Sequence, residues 1–233
     1  MNKKSLINSL PAIAKMLGNK MQVKVRISGD TAYTDGETIN IPMLPDGPKA
    51  LILARGFIDH EAAHVRFTDF SAKRNNELEA ILANVLEDVR IERLIGETFP
   101  GCKTNLIELT ELLASQGDFS LPEEGLIQPS QAFITWLLAG LRFSVLNQTA
   151  LGPVADNAME ILHEIFPNSV IDELMDLAIE GSMAESTRDA LDTSRKIIKV
   201  LESWEEEQRK QEQQQQSSPD QDQQDDQDSN DSD

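Results

Sequence analysis

Only one cysteine, Cys102, occurs in this chain of 233 residues, so no disulfide can form within it and the composition suits a reducing compartment. Long apolar runs are missing too. Nothing approaches the roughly 20 consecutive apolar residues that a membrane-spanning helix needs. Met1-Asn2-Lys3-Lys4-Ser5 is followed by Asn8, Ser9, Pro11 and Lys15, which interrupt any apolar core of a secretion signal. These absences predict a cytoplasmic protein with no membrane association. Basic residues are scarce: 21 Lys and Arg face 40 Asp and Glu, for a formal net charge of −19. Ser203 to Asp233 holds 11 acidic and 2 basic residues, which leaves about −10 on the other 202. No basic stripe is present to follow a phosphate backbone, which argues against direct nucleic-acid binding and in favour of a cationic or protein partner.

Histidine is also rare, with three in the chain, and two of them fall in His60-Glu61-Ala62-Ala63-His64, one complete HExxH. On a helix, residues four apart share a face, so His60 and His64 can bring two imidazole nitrogens to one Zn²⁺ at about 2.0–2.1 Å. Glu61 is rotated by about 100° from His60, which suits a general base that takes a proton from water beside the metal. A five-residue pattern also arises by chance, and its bland reading is a helix with two partly buried histidines.

In chain order, Leu6, Leu10, Ile13, Ala14 and Leu17 mark a helix over Ser5–Leu17 that Gly18 closes. The period then changes to two at Val23, Val25 and Ile27. Gly29-Asp30 and Asp35-Gly36 supply turns, and Thr31–Thr34 and Thr38–Pro42 complete a small three-stranded sheet. Such a sheet is either structural or a place where an extended peptide adds to an edge strand. A helix over Ala50–Phe67 carries the histidines, and another runs over Asn76–Ile95. Helices are then expected at Asn105–Gln116, Gln131–Leu146, Ala155–Phe166, Val170–Ile179 and Glu185–Trp204. From Glu205 the composition turns to Gln, Asp, Ser and Glu and offers no core, which predicts a disordered acidic tail. The expected organisation is a metal-binding domain over 1–115, a helical region over 116–204 packed on it, and the tail over 205–233.

A catalytic zinc takes three protein ligands and leaves a fourth position to water, so two histidines are not enough. His163 is about 100 residues away by the numbering and reads as a helix-surface residue. The better source is Asn84-Val85-Leu86-Glu87-Asp88-Val89-Arg90-Ile91-Glu92. On a helical wheel Leu78, Leu82, Val85 and Val89 form the apolar stripe, with Asp88 and Glu92 flanking it and Glu87 pointing elsewhere, which favours Asp88. Glu is nonetheless the commoner acidic third ligand of HExxH zinc sites. Glu87 and Asp88 therefore both remain candidates, with the other one, or Asp69, expected to orient a histidine from behind. The structural alternative pairs Asp88 and Glu92 with Arg66, Arg90 or Arg93.

The HExxH running into Phe67-Thr68-Asp69-Phe70, the Asn84–Glu92 motif and Phe99-Pro100-Gly101 together resemble the N-terminal region of CobT-type proteins, including phage-encoded forms, most clearly from Thr31 to Leu109. The resemblance implies an α+β, mostly helical, zincin-like metallopeptidase fold with Zn²⁺ as cofactor and a peptide or protein substrate. It also implies an alternative function, that of a non-catalytic accessory subunit in a cobaltochelatase-like assembly for cobalamin biosynthesis. In that family an acidic stretch leads to a von Willebrand factor A domain with a DxSxS adhesion motif. Neither DxSxS nor a GxxxxGK[ST] phosphate loop occurs here. An AAA+ ATPase and an adhesion-domain protein are therefore expected in trans.

Overall fold

The computed structural model describes residues 3–120 and 129–216. Helix α1 (Lys3–Leu17) leads into strands β1 (Lys24–Ile27), β2 (Tyr33–Thr34) and β3 (Thr38–Ile41). Helices α2 (Lys49–Phe67), α3 (Glu77–Thr98) and α4 (Pro100–Ala114) follow, then α5 (Pro129–Ser144), a 3-10 turn at Thr149–Leu151, α6 (Gly152–Ile165), α7 (Asn168–Ser182) and α8 (Thr187–Gln216). The three expected strands form one sheet in the order β1-β3-β2, with β1 parallel and β2 antiparallel to β3. The central strand β3 buries Ile39 and Ile41 completely, and it packs on α2. This leaves β2 as an edge.

The helix boundaries follow local chemistry. Asn76 caps α3 by accepting from the Glu79 amide at 2.8 Å, and Glu77 and Glu79 place negative charge in its first turn. Phe99 alone separates α3 from α4. Pro100 opens α4 at a position where no intrahelical N–H is needed, so that helix starts before the expected Asn105.

Two large apolar clusters organise the described residues, beside a small one of Ala139, Leu151 and Ala155. Leu6, Leu10, Ile39, Ile41, Ala54, Ile58, Ile91 and Ile95 belong to one, which joins α1, the sheet, α2 and α3. The other gathers Phe133, Leu137, Leu162, Leu174 and Ile197 around Leu82, Val85, Leu86 and Val89. Helix α3 therefore supplies both clusters from different faces. At about 25 cal/mol per Å² of apolar surface, each buried Leu or Ile contributes roughly 1.5–3 kcal/mol. Close approach matters where α2 meets α4: a Cβ on Gly56 would lie 2.5 Å from the Leu109 Cβ.

The expectation of disorder from Glu205 needs correction, because α8 continues past Trp204 to Gln216. Its last turns are almost wholly exposed and gain nothing from burial. Glu, Gln, Lys and Arg are good helix formers, and a Lys210–Glu206 pair at 2.8 Å spans one turn. The rest of the expected tail, 217–233, lies outside the described residues. Among the described residues no helix is long and apolar enough to cross a membrane.

Candidate metal centre

Helix α2 presents His60 and His64 on one face, with ring centroids 4.9 Å apart, and α3 brings Asp88 against them. The Asp88 Oδ1 atom lies 3.2 Å from His64 Nε2 and 3.9 Å from His60 Nε2. One ligand atom from each of the three residues falls within 4.8 Å of the others. Tetrahedral coordination with bonds of 2.0–2.1 Å places donor atoms about 3.3 Å apart, so a modest closing of this triangle would suffice. Asp88 Oδ1 is buried and has no hydrogen-bond partner among the described residues, although His64 Nε2 lies only 3.2 Å away. A buried oxygen without a donor is costly. A cation between the three residues would satisfy it, which is the observation that fits a metal here.

The second nitrogen of each histidine is held from behind. His60 Nδ1 donates to Glu92 Oε1 at 2.9 Å. The same carboxylate accepts from Arg142 Nη1 on Oε1 and from Gln148 Nε2 on Oε2, both at 2.7 Å. His64 Nδ1 lies 3.0 Å from Thr68 Oγ1, whose hydroxyl donates to Glu87 Oε1 at 2.7 Å, so Thr68 accepts from the imidazole. Glu87 also accepts from Thr187 at 2.9 Å and from both Nε and Nη2 of the fully buried Arg90. Both rings are thus set in the tautomer that turns Nε2 toward Asp88.

Charge follows this wiring. Burial disfavours the His60 imidazolium, but the Glu92 hydrogen bond and the charges of Asp88, Glu92 and Glu61 outweigh it and raise His60 to about 9. A cation at Nε2 would compete with that proton. Burial works against the Glu92 carboxylate as well, yet Arg142 and His60 hold it at about 2. Asp88 stays below the ordinary carboxylate value because His64, His60 and Arg142 prevail over its burial. Glu61 moves the other way: burial raises it, against the pull of His60 and His64. Its carboxylate makes no hydrogen bond among the described residues and borders a cavity of about 480 Å³ shared with His60, His64, Asp88, Arg74 and the β2 residues Tyr33 and Thr34.

Of the two acidic candidates, Asp88 joins the histidines, whereas Glu87 is turned to Arg90, Thr68 and Thr187. Arg93 pairs with Glu97, and Arg66 donates to the Leu17 carbonyl, so neither takes Asp88. Asp69 touches Ser71 and Arg188 rather than a histidine, although its amide donates to Thr187. His163 sits on the exposed face of α6 beside Asn168. Sequence reasoning missed Thr68, Arg142, Gln148 and Thr187. Thr68 had a signal, four residues after His64; the other three have none, because only tertiary structure brings them here.

No curated protein and no solved structure matches the chain. A family model described as "Cobalamin biosynthesis protein CobT" matches residues 3–233, well beyond the Thr31–Leu109 stretch that carries the motifs. The chain therefore belongs to the CobT family.

Proposed function

We propose that the protein is a zinc-dependent, metallopeptidase-like hydrolase of zincin type, with His60, His64 and Asp88 holding one Zn²⁺ and Glu61 acting as general base. The observation that carries this reading is the convergence of three ligand atoms around the orphaned Asp88 Oδ1, with an unengaged Glu61 on the same cavity wall. A bound Zn²⁺ would supply Lewis acidity toward a carbonyl and toward water. Glu61, raised by burial, is suited to take a proton from water and pass it to the leaving nitrogen. Glu87 and Glu92 serve as positioning residues: one acts through Thr68 and the other directly on His60 Nδ1. The free edge of β2 borders the cavity, where main-chain hydrogen bonds would hold an extended peptide or protein segment.

Family membership favours a second reading, in which the same metal centre belongs to a non-catalytic subunit working with an AAA+ ATPase and an adhesion-domain protein. Metal content and peptidase activity of the purified protein, beside Glu61→Gln, separate the two. Under the hydrolase reading Glu61→Gln keeps close to one Zn per chain and loses activity by several orders of magnitude. Zinc retained in both proteins with no turnover in either would move the second reading to the front, and full zinc occupancy in His64→Ala would remove the site itself.

A further inference from the structure

A second cavity, of about 610 Å³, lies behind the metal centre and shares none of its lining with the first. Glu92 and Gln148 form its back wall, and their facing groups are consumed by each other, Arg142 and His60. Leu106, Val145, Leu146 and Met183 make the apolar surface, and Met183 is 51% exposed although it has a large side chain. Two cations also line the space. Arg93 uses Nη1 on Glu97 at 3.1 Å, but its Nε is buried with no acceptor. Lys103 has no hydrogen-bond or ion-pair partner among the described residues. Gly96 brings these neighbours together: a Cβ there would lie 3.2 Å from the Lys103 Cβ.

An orphaned guanidinium N–H, an unpaired ammonium and an apolar wall are the complement of one chemical type. The volume falls within the roughly 300–1,000 Å³ usual for small-molecule sites. We propose that this cavity is a second ligand site, for a small amphipathic carboxylate whose head lies between Arg93 and Lys103 and whose apolar body covers Leu106, Val145, Leu146 and Met183. A carboxylate pairs with Lys103 and with the part of the Arg93 guanidinium that is exposed, while Nε, closed to solvent, is reached only once the Arg93 side chain turns toward the cavity. Glu97 and Glu92 on the same walls oppose a more highly charged head. The proposal does not rest on the hydrolase reading, because neither cation touches His60, His64 or Asp88, although Glu92 on the cavity wall also holds His60.

The test uses the full chain with octanoate as probe and 1-octanol as its uncharged counterpart. Calorimetric titration is expected to show saturable octanoate binding that falls at least tenfold in Arg93→Gln/Lys103→Gln, while octanol binding changes less than twofold. Methyl NMR is expected to place the octanoate shifts on Leu106, Val145, Leu146 and Met183. Equal octanoate affinity in the double variant, absence of saturable binding, or shifts confined to the groove between α7 and α8 around Trp204 would each overturn the proposal. Should the double variant not fold, Lys103→Gln alone and the wild-type map decide it, since Lys103 is exposed and supports no other residue.

Discussion

Arg142→Met perturbs the candidate metal centre without replacing a proposed ligand, although the guanidinium lies 3.7 Å from Asp88 Oδ2 as well as on Glu92. In the wild type, Arg142 donates 2.7 Å to Glu92 Oε1, and the two side chains are only 9% and 3% exposed. Removing the guanidinium leaves a buried carboxylate with Gln148 and His60 as its remaining donors. Breaking a buried pair from one side costs about 3–5 kcal/mol when the surviving charge has no counterpart; here His60, raised to about 9, stays as a second cation on Glu92, so the expected cost is at the lower end, about 2–3 kcal/mol. Replacing both partners, as in Glu92→Leu/Arg142→Met, removes the stranded charge and is expected to cost less, even though Gln148 and His60 then lose an acceptor. Urea unfolding of metal-free protein at pH 7 reads both numbers. The pH dependence supplies a sign. Glu92 is held at about 2 against an ordinary 4.5, so the stability it provides is present above 4.5 and is lost as pH falls toward 2. The variant lacks Arg142, the first of the two cations that create this difference, and keeps His60, so its deficit relative to wild type should narrow over the same interval. Zinc affinity should drop about 10–100-fold as His60 loses its fixed orientation. A deficit below about 1 kcal/mol, or one that widens on acidification, would refute the stranded-charge argument.

Glu87→Gln should retain zinc at saturating metal but bind it about 10–100-fold more weakly, as expected of a residue that orients His64 through Thr68, whereas Asp88→Asn should abolish stoichiometric binding; dialysis followed by metal analysis distinguishes them. Thr187→Val removes an acceptor from the Asp69 amide and a donor to Glu87, for an expected loss of about 1–3 kcal/mol in urea unfolding. Gly56→Ala forces a Cβ against Leu109 and should cost about 1–3 kcal/mol, seen as a lower Tm with zinc stoichiometry unchanged. A chain ending at Trp204 should melt close to the full-length protein, because the exposed turns after Trp204 bury almost nothing.

The local parts of this molecule are legible in the sequence. Residues four apart put His60 and His64 on one face, and period two at Val23, Val25 and Ile27 marks the sheet. Choosing between Glu87 and Asp88 is harder, since they are consecutive residues of a helix packed on two sides. The wheel argument points to Asp88 because that position flanks the Leu82–Val85–Val89 stripe, while the frequency of Glu as a third ligand pulls the other way. In the structure Glu87 is committed to Arg90, a fully buried cation whose need for a counterion no periodicity reveals. The donors behind the histidines are less legible still. Arg142 reaches Glu92 across 50 residues and Thr187 reaches Glu87 across 100, and pattern analysis registers only neighbours in sequence. The α8 extension was missed for another reason. Lack of apolar residues excludes a core but leaves helix formation to intrinsic propensity and one-turn ion pairs.

Helix α3 serves two cores, and this has a consequence for the order in which the chain leaves the ribosome. His60, His64 and Asp88 emerge early, but Arg142, Gln148 and Thr187, which hold the histidines through Glu92, Thr68 and Glu87, come off later. A growing chain therefore carries the three ligands before it has the groups that aim them. Its exposed Leu82, Val85, Leu86 and Val89 also wait for Phe133, Leu137 and Leu174. Under the proposed metal-centre reading, tight capture of a cation would wait for Arg142, Gln148 and Thr187, which would spare the nascent chain from sequestering whatever metal it meets first.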